Sequence, residues 1–90
     1  MRFKFTKRCK KIFDALDPPL QKRILQKLAY WTRGPNPLRY SEPLEGNFRF
    51  LKYRVGDYRI IVWPKPQEGL MIILKVGPRG SVYKHLEKLL

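Results

Sequence analysis

The stretch from Asn47 to Arg59 constrains this chain more than any other, because it has the pattern of two strands joined by a tight turn. Successive side chains on a strand point to opposite faces of the sheet. This alternation gives the first strand a cationic and partly aromatic face, formed by Phe50, Lys52 and Arg54. The sequence therefore predicts a hairpin with one face in the core and the other face suited to a polyanion.

The second strand of the hairpin repeats this arrangement after the turn at residues 55–57. Arg59 takes an outward position, next to the cationic face of the first strand. Inward positions are predicted for Tyr58, Ile60 and Val62. Lys52, Arg54 and Arg59 are thus expected on one surface.

The net charge also indicates a polyanionic partner. Twenty Lys and Arg residues stand against seven Asp and Glu, which gives a formal net charge of +13 at pH 7. Such an excess favours nucleic acid, and an anionic membrane surface or an acidic protein is the alternative. The segment from Leu20 to Tyr40 contains five of these cations and no acidic residue. It is either a solvated helix face or a direct contact with nucleic acid.

Ninety residues are enough for one small domain, so we expect residues 1–90 to fold as a single unit. The apolar runs fall well short of the roughly 20 residues that span a bilayer. The first residues lack the apolar region of a secretory signal, and the one cysteine, Cys9, has no disulfide partner. These features predict a cytoplasmic protein whose thiol fills the core.

The first half of the chain predicts a strand followed by two helices. Residues 2–6 alternate polar and apolar, as half-buried strands do. Thr6 is placed to cap a first helix, and Asp17, followed by two prolines, is placed to cap a second that ends near Arg33. Apolar residues at helical spacing mark the first helix at Cys9, Ile12, Phe13 and Leu16. They mark the second at Leu20, Ile24, Leu25, Leu28 and Trp31.

The second half predicts three strands and a short helix. Residues 34–46 are rich in turn formers and predict a loop that crosses the molecule and enters the sheet beside the first strand. Residues 64–69 form a turn and residues 70–76 a further strand. Alternation places Met71, Ile73 and Lys75 on one face of this strand, opposite Leu70, Ile72, Leu74 and Val76. A final helix is marked by Val82, Leu86 and Leu89 or Leu90.

These elements predict an α+β fold. We expect a small, antiparallel-rich sheet of four strands packed against a helical hairpin. The order is β-α-α-β-β-β, with a short C-terminal helix.

Few residue types are available for catalysis. A single histidine, His85, and a single cysteine cannot form a zinc site, and the seven carboxylates are scattered through turns and helix ends. We therefore expect no metal and no cofactor, and an acid, a base and charge stabilisers drawn from Lys, Arg and Tyr. RNA permits such chemistry, because a ribose 2′-hydroxyl attacks its adjacent phosphate when one proton is removed and another donated.

Three segments carry a recognisable combination of motifs: Leu44-Glu45-Gly46, residues 48–61 and residues 74–83, the last of which reads Leu-Lys-Val-Gly-Pro-Arg-Gly-Ser-Val-Tyr. Together they resemble the RelE/ParE toxin superfamily of bacterial and archaeal toxin-antitoxin pairs. The resemblance implies a RelE-like fold over nearly the whole chain and an antitoxin as partner. RelE toxins cleave messenger RNA in the ribosomal A site by metal-independent 2′-hydroxyl attack, whereas ParE relatives poison DNA gyrase.

The resemblance to RelE implies that the chain is a ribosome-dependent endoribonuclease, and it implies a role for four residues. Lys52 matches the lysine proposed as general base, and Arg59 matches an arginine that stabilises the phosphate in the transition state. Arg79 matches a late arginine that acts as general acid or charge stabiliser. Tyr83 matches a tyrosine that stacks on or orients the scissile nucleotide. Further contacts with the RNA are expected from Phe50, Arg54 and Lys75.

The sequence departs from RelE at position 50. RelE enzymes often have a second lysine two places before the base, where this chain has Phe50. The spacing from Arg79 to Tyr83 is also shorter than in some members. A gyrase inhibitor of the ParE kind and an inactive nucleic-acid binder are therefore the alternatives.

Three of these site residues also have a structural alternative. In the alternative to catalysis, Lys52 is only an exposed strand residue whose charge opposes aggregation. Arg59 would pair with Asp57 or a strand neighbour, and Tyr83 would pack the final helix on the sheet.

Overall fold

The computed structural model describes residues 1–44 and 47–84 of the chain. In that part of the chain two helices and five strands combine, which confirms the predicted α+β class. The elements, in chain order, are β1 (Arg2–Phe5), α1 (Lys7–Asp14), α2 (Pro18–Arg33), β2 (Glu42–Leu44), β3 (Asn47–Val55), β4 (Tyr58–Lys65), a 3-10 turn (Pro66–Glu68) and β5 (Leu70–Pro78).

These five strands form one sheet in the order β1-β5-β4-β3-β2. β1 runs parallel to β5, and the other neighbouring pairs are antiparallel. The prediction that the chain enters the sheet beside β1 after the loop is therefore wrong. Short connections join β3, β4 and β5, so each strand adds next to the one before it, and β5 is the strand that reaches β1.

The sequence does not predict β2, because Glu-Pro-Leu has the composition of the turn-rich loop around it. β2 lies at the edge of the sheet. Proline is tolerated in an edge strand because it has no N–H to donate to a neighbouring strand. It pairs with β3 through Glu42 opposite Lys52 and Pro43 opposite Leu51. The sheet therefore has five strands where the sequence predicts four.

The helical hairpin forms as predicted. Thr6 caps α1 by accepting a hydrogen bond from the amide of Cys9 at 3.1 Å. Asp17 precedes α2 but makes no side-chain capping bond, and the prolines that follow supply the fixed φ of a first turn. Gln21 joins the helices, since its Nε2 donates to the carbonyl of Leu16 at 2.7 Å.

One face of the sheet, the helix face, packs against α1 and α2. Its buried cluster consists of Cys9, Phe13, Ile24, Leu28, Trp31, Tyr53, Val55, Ile60, Val62, Met71, Ile73 and Val76. The inward positions predicted for Ile60 and Val62 are thus confirmed. Two predicted core residues, Ile12 and Leu25, are instead 44% and 39% exposed. Each adjoins a buried neighbour in sequence and so lies about 100° away from it around the helix.

The opposite face, the distal face, carries a second and smaller apolar cluster. Its buried members are Leu44, Phe50, Ile61, Leu74 and Val82. Trp63, Ile72 and Tyr83 pack against this cluster and are partly buried. The sheet is therefore covered on both faces, by helices on one side and by part of the chain after β5 on the other.

A β-bulge in β5 decides which face Lys75 occupies. Ile61 pairs with Lys75, but the register then shifts by one residue and leaves Leu74 opposite no residue of β4. Leu74 lies in the distal cluster, whereas Val76 lies in the helix-face cluster. Lys75 is thereby carried to the distal face. The simple alternation predicted for residues 70–76 is wrong beyond the bulge, because alternation assumes an unbroken ladder.

The predicted C-terminal helix rests mainly on residues 85–90, which lie outside the described residues. Residues 79–84 form turns, and Val82 within them is 2% exposed. Among the residues that are described, no helix is long and apolar enough to cross a membrane.

Tyr53 ties the helix face to the loop after α2. Its ring stacks on Trp31, with centroids 4.3 Å apart and planes inclined at 23°. Its hydroxyl donates to the carbonyl of Pro37 at 2.7 Å. Burial raises the pKa of Tyr53 to about 12, and a hydrogen bond with Ser41 acts in the opposite direction. The ring contact therefore fixes α2 to β3, and the partly buried hydrogen bond fixes the following loop to the same strand.

We predict that Tyr53→Phe lowers the free energy of unfolding by about 1 kcal/mol, because the Pro37 carbonyl loses its donor while the ring stack remains. Urea unfolding measures the change. The control is Tyr40→Phe, at a residue that is 47% exposed. We expect it to change stability by less than about 0.5 kcal/mol. Equal losses in the two variants would contradict the anchoring role of Tyr53.

A second prediction concerns Cys9, where burial raises the pKa of the thiol from 9.0 to about 11. Between these two values the unfolded chain releases a proton that the folded chain keeps. The free energy of unfolding therefore falls as the pH rises through this window. Cys9→Ala should remove that part of the slope, as measured by urea unfolding at intervals across it. An unchanged slope would show that the thiol titrates alike in both states.

Candidate active site

Two lysines lie in one row on the distal face. Lys52 in β3 pairs with Ile61 in β4, and Ile61 pairs with Lys75 in β5. Both lysines are partly exposed, and the isoleucine between them is fully buried. The hairpin pattern predicts the position of Lys52. The position of Lys75 depends on the bulge, which no local pattern in the sequence signals.

The chain after β5 folds back over this row. The centroid of the Tyr83 ring lies 5.6 Å from Nζ of Lys52, within the range of a cation–π contact. Nζ of Lys75 donates to the backbone carbonyl of Lys84. Tyr83 also packs on the distal apolar cluster, so it has a packing contact and a contact with the candidate base.

Arg59 lies further along the same face, opposite Arg54 in β3. Two residues along a strand span roughly 7 Å, which separates Arg59 from the lysine row. Its Nη1 donates to the carbonyls of Gly56 and Tyr58 at 2.8 and 2.9 Å, and the residue is 8% exposed. This guanidinium therefore donates to backbone carbonyls at the β3–β4 turn, whereas the structural alternative from the sequence is a pairing with Asp57 or a strand neighbour.

Arg79 reaches the same turn through its backbone. Its amide donates to the carbonyl of Asp57 at 2.8 Å, while its side chain is exposed. Gly80 follows with a φ of 93°, a conformation that favours glycine. The β3–β4 turn therefore holds the side chain of Arg59 and the backbone of Arg79 at one end of the distal face.

Like Lys75, the other two predicted RNA contacts are engaged within the protein. Phe50 is 2% exposed, with its ring centroid 6.3 Å from that of Trp63, which leaves no open ring face for a base. Alternation identifies the face of this side chain correctly but does not reveal that the face is covered. Arg54 forms a two-point ion pair with Glu42 of β2, at 2.9 and 3.1 Å. The partner strand β2 is the one that the sequence does not predict.

Sequence reasoning also misses Arg23. Its guanidinium lies against Gly56, so that a Cβ built on this glycine would stand 2.8 Å from Nη2. Gly56 has a φ of 58°, in the left-handed region. α2 therefore adds a cation to the turn that holds Arg59. No signal in the sequence shows this, because the contact depends on how α2 crosses the sheet.

The candidate site therefore has two parts on the distal side of the sheet. The first consists of Lys52, Tyr83 and Lys75. The second consists of Arg59 and Arg79 around the β3–β4 turn. Guanidinium groups bind the non-bridging oxygens of a phosphate, and an amine can accept a proton. This set of side chains is chemically suited to a phosphodiester that lies beside a nucleobase.

Comparison with known proteins identifies the family. Residues 3–83 match the family model described as ParE toxin of type II toxin-antitoxin system, parDE. The chain belongs to this family, within the RelE/ParE toxin superfamily, and is a toxin of a type II toxin-antitoxin system. No curated protein sequence matches it significantly.

Solved structures of RelE-type proteins have the same fold. A chain of the archaeal RelE-RelB complex from Pyrococcus horikoshii is 29% identical, with a TM-score of 0.70 over 88% of this chain and 94% of that chain. A chain of the RelBE2 toxin-antitoxin complex from Mycobacterium tuberculosis is 22% identical, with a TM-score of 0.70 over 88% of this chain and 90% of that chain. The isolated E. coli RelE toxin is 19% identical, with a TM-score of 0.71 over 98% of this chain and 97% of that chain. The predicted RelE-like fold is confirmed.

We predict that Phe50→Ala lowers the free energy of unfolding by roughly 3 kcal/mol, because it leaves a cavity in the distal cluster. Urea unfolding measures the loss. The control is Arg54→Ala on the same strand face, where breaking an exposed ion pair should cost less than about 1 kcal/mol. A loss for Phe50→Ala as small as that of the control would place this ring on the surface.

Proposed function

We propose that this toxin is a ribosome-dependent endoribonuclease of the RelE type, which cleaves messenger RNA in the ribosomal A site without a metal ion. The observation that carries the proposal is the contact between Lys52 and Tyr83, at 5.6 Å from Nζ to ring centroid. It joins a candidate base and an aromatic ring on the face that also carries Arg59. The resemblance to RelE gives these residues roles at the scissile nucleotide.

In the proposed reaction, Lys52 accepts the proton of the ribose 2′-hydroxyl, and the 2′-oxygen forms a bond to the adjacent phosphorus. Arg59 and Arg79 stabilise the charge of the pentacovalent phosphorane. The bond from phosphorus to the 5′-oxygen then breaks. The leaving oxygen receives a proton from the ammonium formed on Lys52, relayed through solvent. Because arginine holds its proton tightly, we assign Arg79 to charge stabilisation and not to proton donation.

The proposal includes an antitoxin partner that covers this cationic surface. Relatives with the same fold are described as RelE-RelB and RelBE2 toxin-antitoxin complexes. A formal net charge of +13 favours a partner segment rich in acidic residues. Release from this partner in the cytoplasm would expose the distal face to messenger RNA on the ribosome.

A ParE-like inhibitor of DNA gyrase is the second candidate. Two observations favour it: the matching family model is that of the ParE toxin, and Phe50 is buried where RelE enzymes often have a second lysine. This candidate requires binding to gyrase and no chemistry at Lys52.

We predict that the wild-type toxin cuts a defined message on purified translating ribosomes. Lys52→Ala and Arg79→Ala should each lower the rate of cleavage by roughly 100-fold or more, as measured by primer extension. Lys52→Arg keeps the positive charge but removes the amine. It should be as inactive as Lys52→Ala if the lysine is the base.

The matched control is Lys11→Ala, which removes an exposed cation from α1 and should leave the rate within about twofold of the wild-type rate. An intact message with the wild-type toxin would contradict the proposal. If the message stays intact while gyrase loses supercoiling activity, the second candidate is supported instead.

A further inference from the structure

The helix side of the molecule has an aromatic groove that the proposed cleavage does not use. Tyr30 near the end of α2 and Tyr40 in the following loop are 53% and 47% exposed. Their ring centroids lie 5.9 Å apart with the planes inclined at 41°, and their hydroxyl oxygens are 3.4 Å apart. The buried Trp31 lines the same groove. We name this feature the tyrosine groove.

The tyrosine groove consists of two hollows that share the tyrosine pair and have room for a ligand. One hollow, of about 300 Å³, is lined by both tyrosines together with Pro35, Asn36 and Arg39. Small-ligand sites have volumes of roughly 300 to 1,000 Å³. A second hollow of about 530 Å³ shares the tyrosines and extends towards Arg23 and Lys27. The rings therefore form a wall that is accessible from two hollows.

The groove is bordered by cations. The guanidinium of Arg39 lies 5.6 Å from the centroid of the Tyr40 ring. The hydrogen bond with Tyr40 raises the pKa of Tyr30, and the charges of Arg39 and Arg33 oppose this shift. The chain has no Asp or Glu from Leu20 to Ser41. Glu42, the first acidic residue after this segment, is paired with Arg54.

We propose that the tyrosine groove binds a single-stranded nucleic-acid segment by stacking its bases on Tyr30 and Tyr40 while the surrounding cations contact its phosphates. Stacking on aromatic faces beside a basic track is how proteins hold single strands without reading their sequence. Arg23 and Lys27 line one hollow and Arg39 lines the other, so a strand that passes over the rings from one hollow to the other meets cations in both.

Other polyanions fit this surface less well. An acidic peptide gains its affinity from the cations alone and has no use for two half-exposed rings. In a duplex the bases are already stacked on one another, so their faces are not available to tyrosine. The single strand is the partner that uses the rings and the charges together. This inference does not rest on the proposed cleavage, because Tyr30 and Tyr40 lie outside the distal face.

The test is fluorescence anisotropy with the full-length toxin and an end-labelled single-stranded RNA oligonucleotide whose 2′-hydroxyls are methylated, so that 2′-hydroxyl attack is blocked. Replacing both tyrosines by leucine should weaken binding by roughly 30-fold or more, since stacking on two rings is lost. Replacing both by phenylalanine keeps the ring faces and should leave the dissociation constant within about twofold of the wild-type value. Arg39→Gln should reduce the slope of log K against log salt concentration by about 0.7.

Two further measurements separate the groove from the other cationic face and from misfolding. The double leucine replacement should raise the dissociation constant by the same factor in the wild-type toxin and in the Lys52→Ala variant, because Lys52 lies on the distal face. The thermal unfolding midpoints of the leucine and phenylalanine variants should agree, since both tyrosines are exposed at the surface.

Three results would overturn the inference. Wild-type affinity in the leucine variant would exclude the rings as a binding surface. Equal weakening by leucine and phenylalanine would assign the effect to the hydroxyl pair. If the binding of an oligoglutamate probe depends on the tyrosines and the binding of RNA does not, the groove is a site for an acidic peptide.

Discussion

The contact between the distal face and the chain that follows β5 is the interaction on which the candidate site depends. The amide of Val82 donates to the carbonyl of Pro78 at 3.1 Å, which turns the chain back over the sheet. The Val82 side chain then rests on Gly77, where a Cβ would lie 3.5 Å from that of the valine. Burial of this apolar residue holds Tyr83 at a defined distance from Lys52. Without that burial, Tyr83 would have no fixed position beside Lys52.

The cations of the site differ in how firmly the protein positions them. Arg59 is held by two backbone carbonyls and is 8% exposed, so its orientation is set before any ligand arrives. Such preorganisation reduces the ordering cost when a phosphate binds. Arg79 has a fixed backbone and an exposed side chain, which suits a group that closes on a substrate. Arg54 already has a carboxylate partner, Glu42, so any phosphate must compete with it.

Local patterns predict much of the fold and part of the site. The helices and the β3–β4 hairpin follow from periodicity and turn chemistry, and the faces of Lys52 and Arg59 follow from strand alternation. The bulge that moves Lys75 cannot be predicted from such patterns, because no particular residue type marks an extra residue in a strand. The burial of Phe50 and the pairing of β1 with β5 are equally hidden, since both depend on segments distant in sequence. The resemblance to RelE supplies the roles of the site residues, which the residue patterns alone do not contain.

The most direct measurement of the central contact is the proton NMR spectrum of the Lys52 side chain. If the lysine lies over the Tyr83 ring, its ε-methylene protons are shifted upfield by the ring current and show nuclear Overhauser effects to the ring protons. Both signals should disappear in Tyr83→Leu and persist in Tyr83→Phe. Methylene shifts at ordinary lysine values in the wild-type protein, without Overhauser effects to Tyr83, would contradict the site as described.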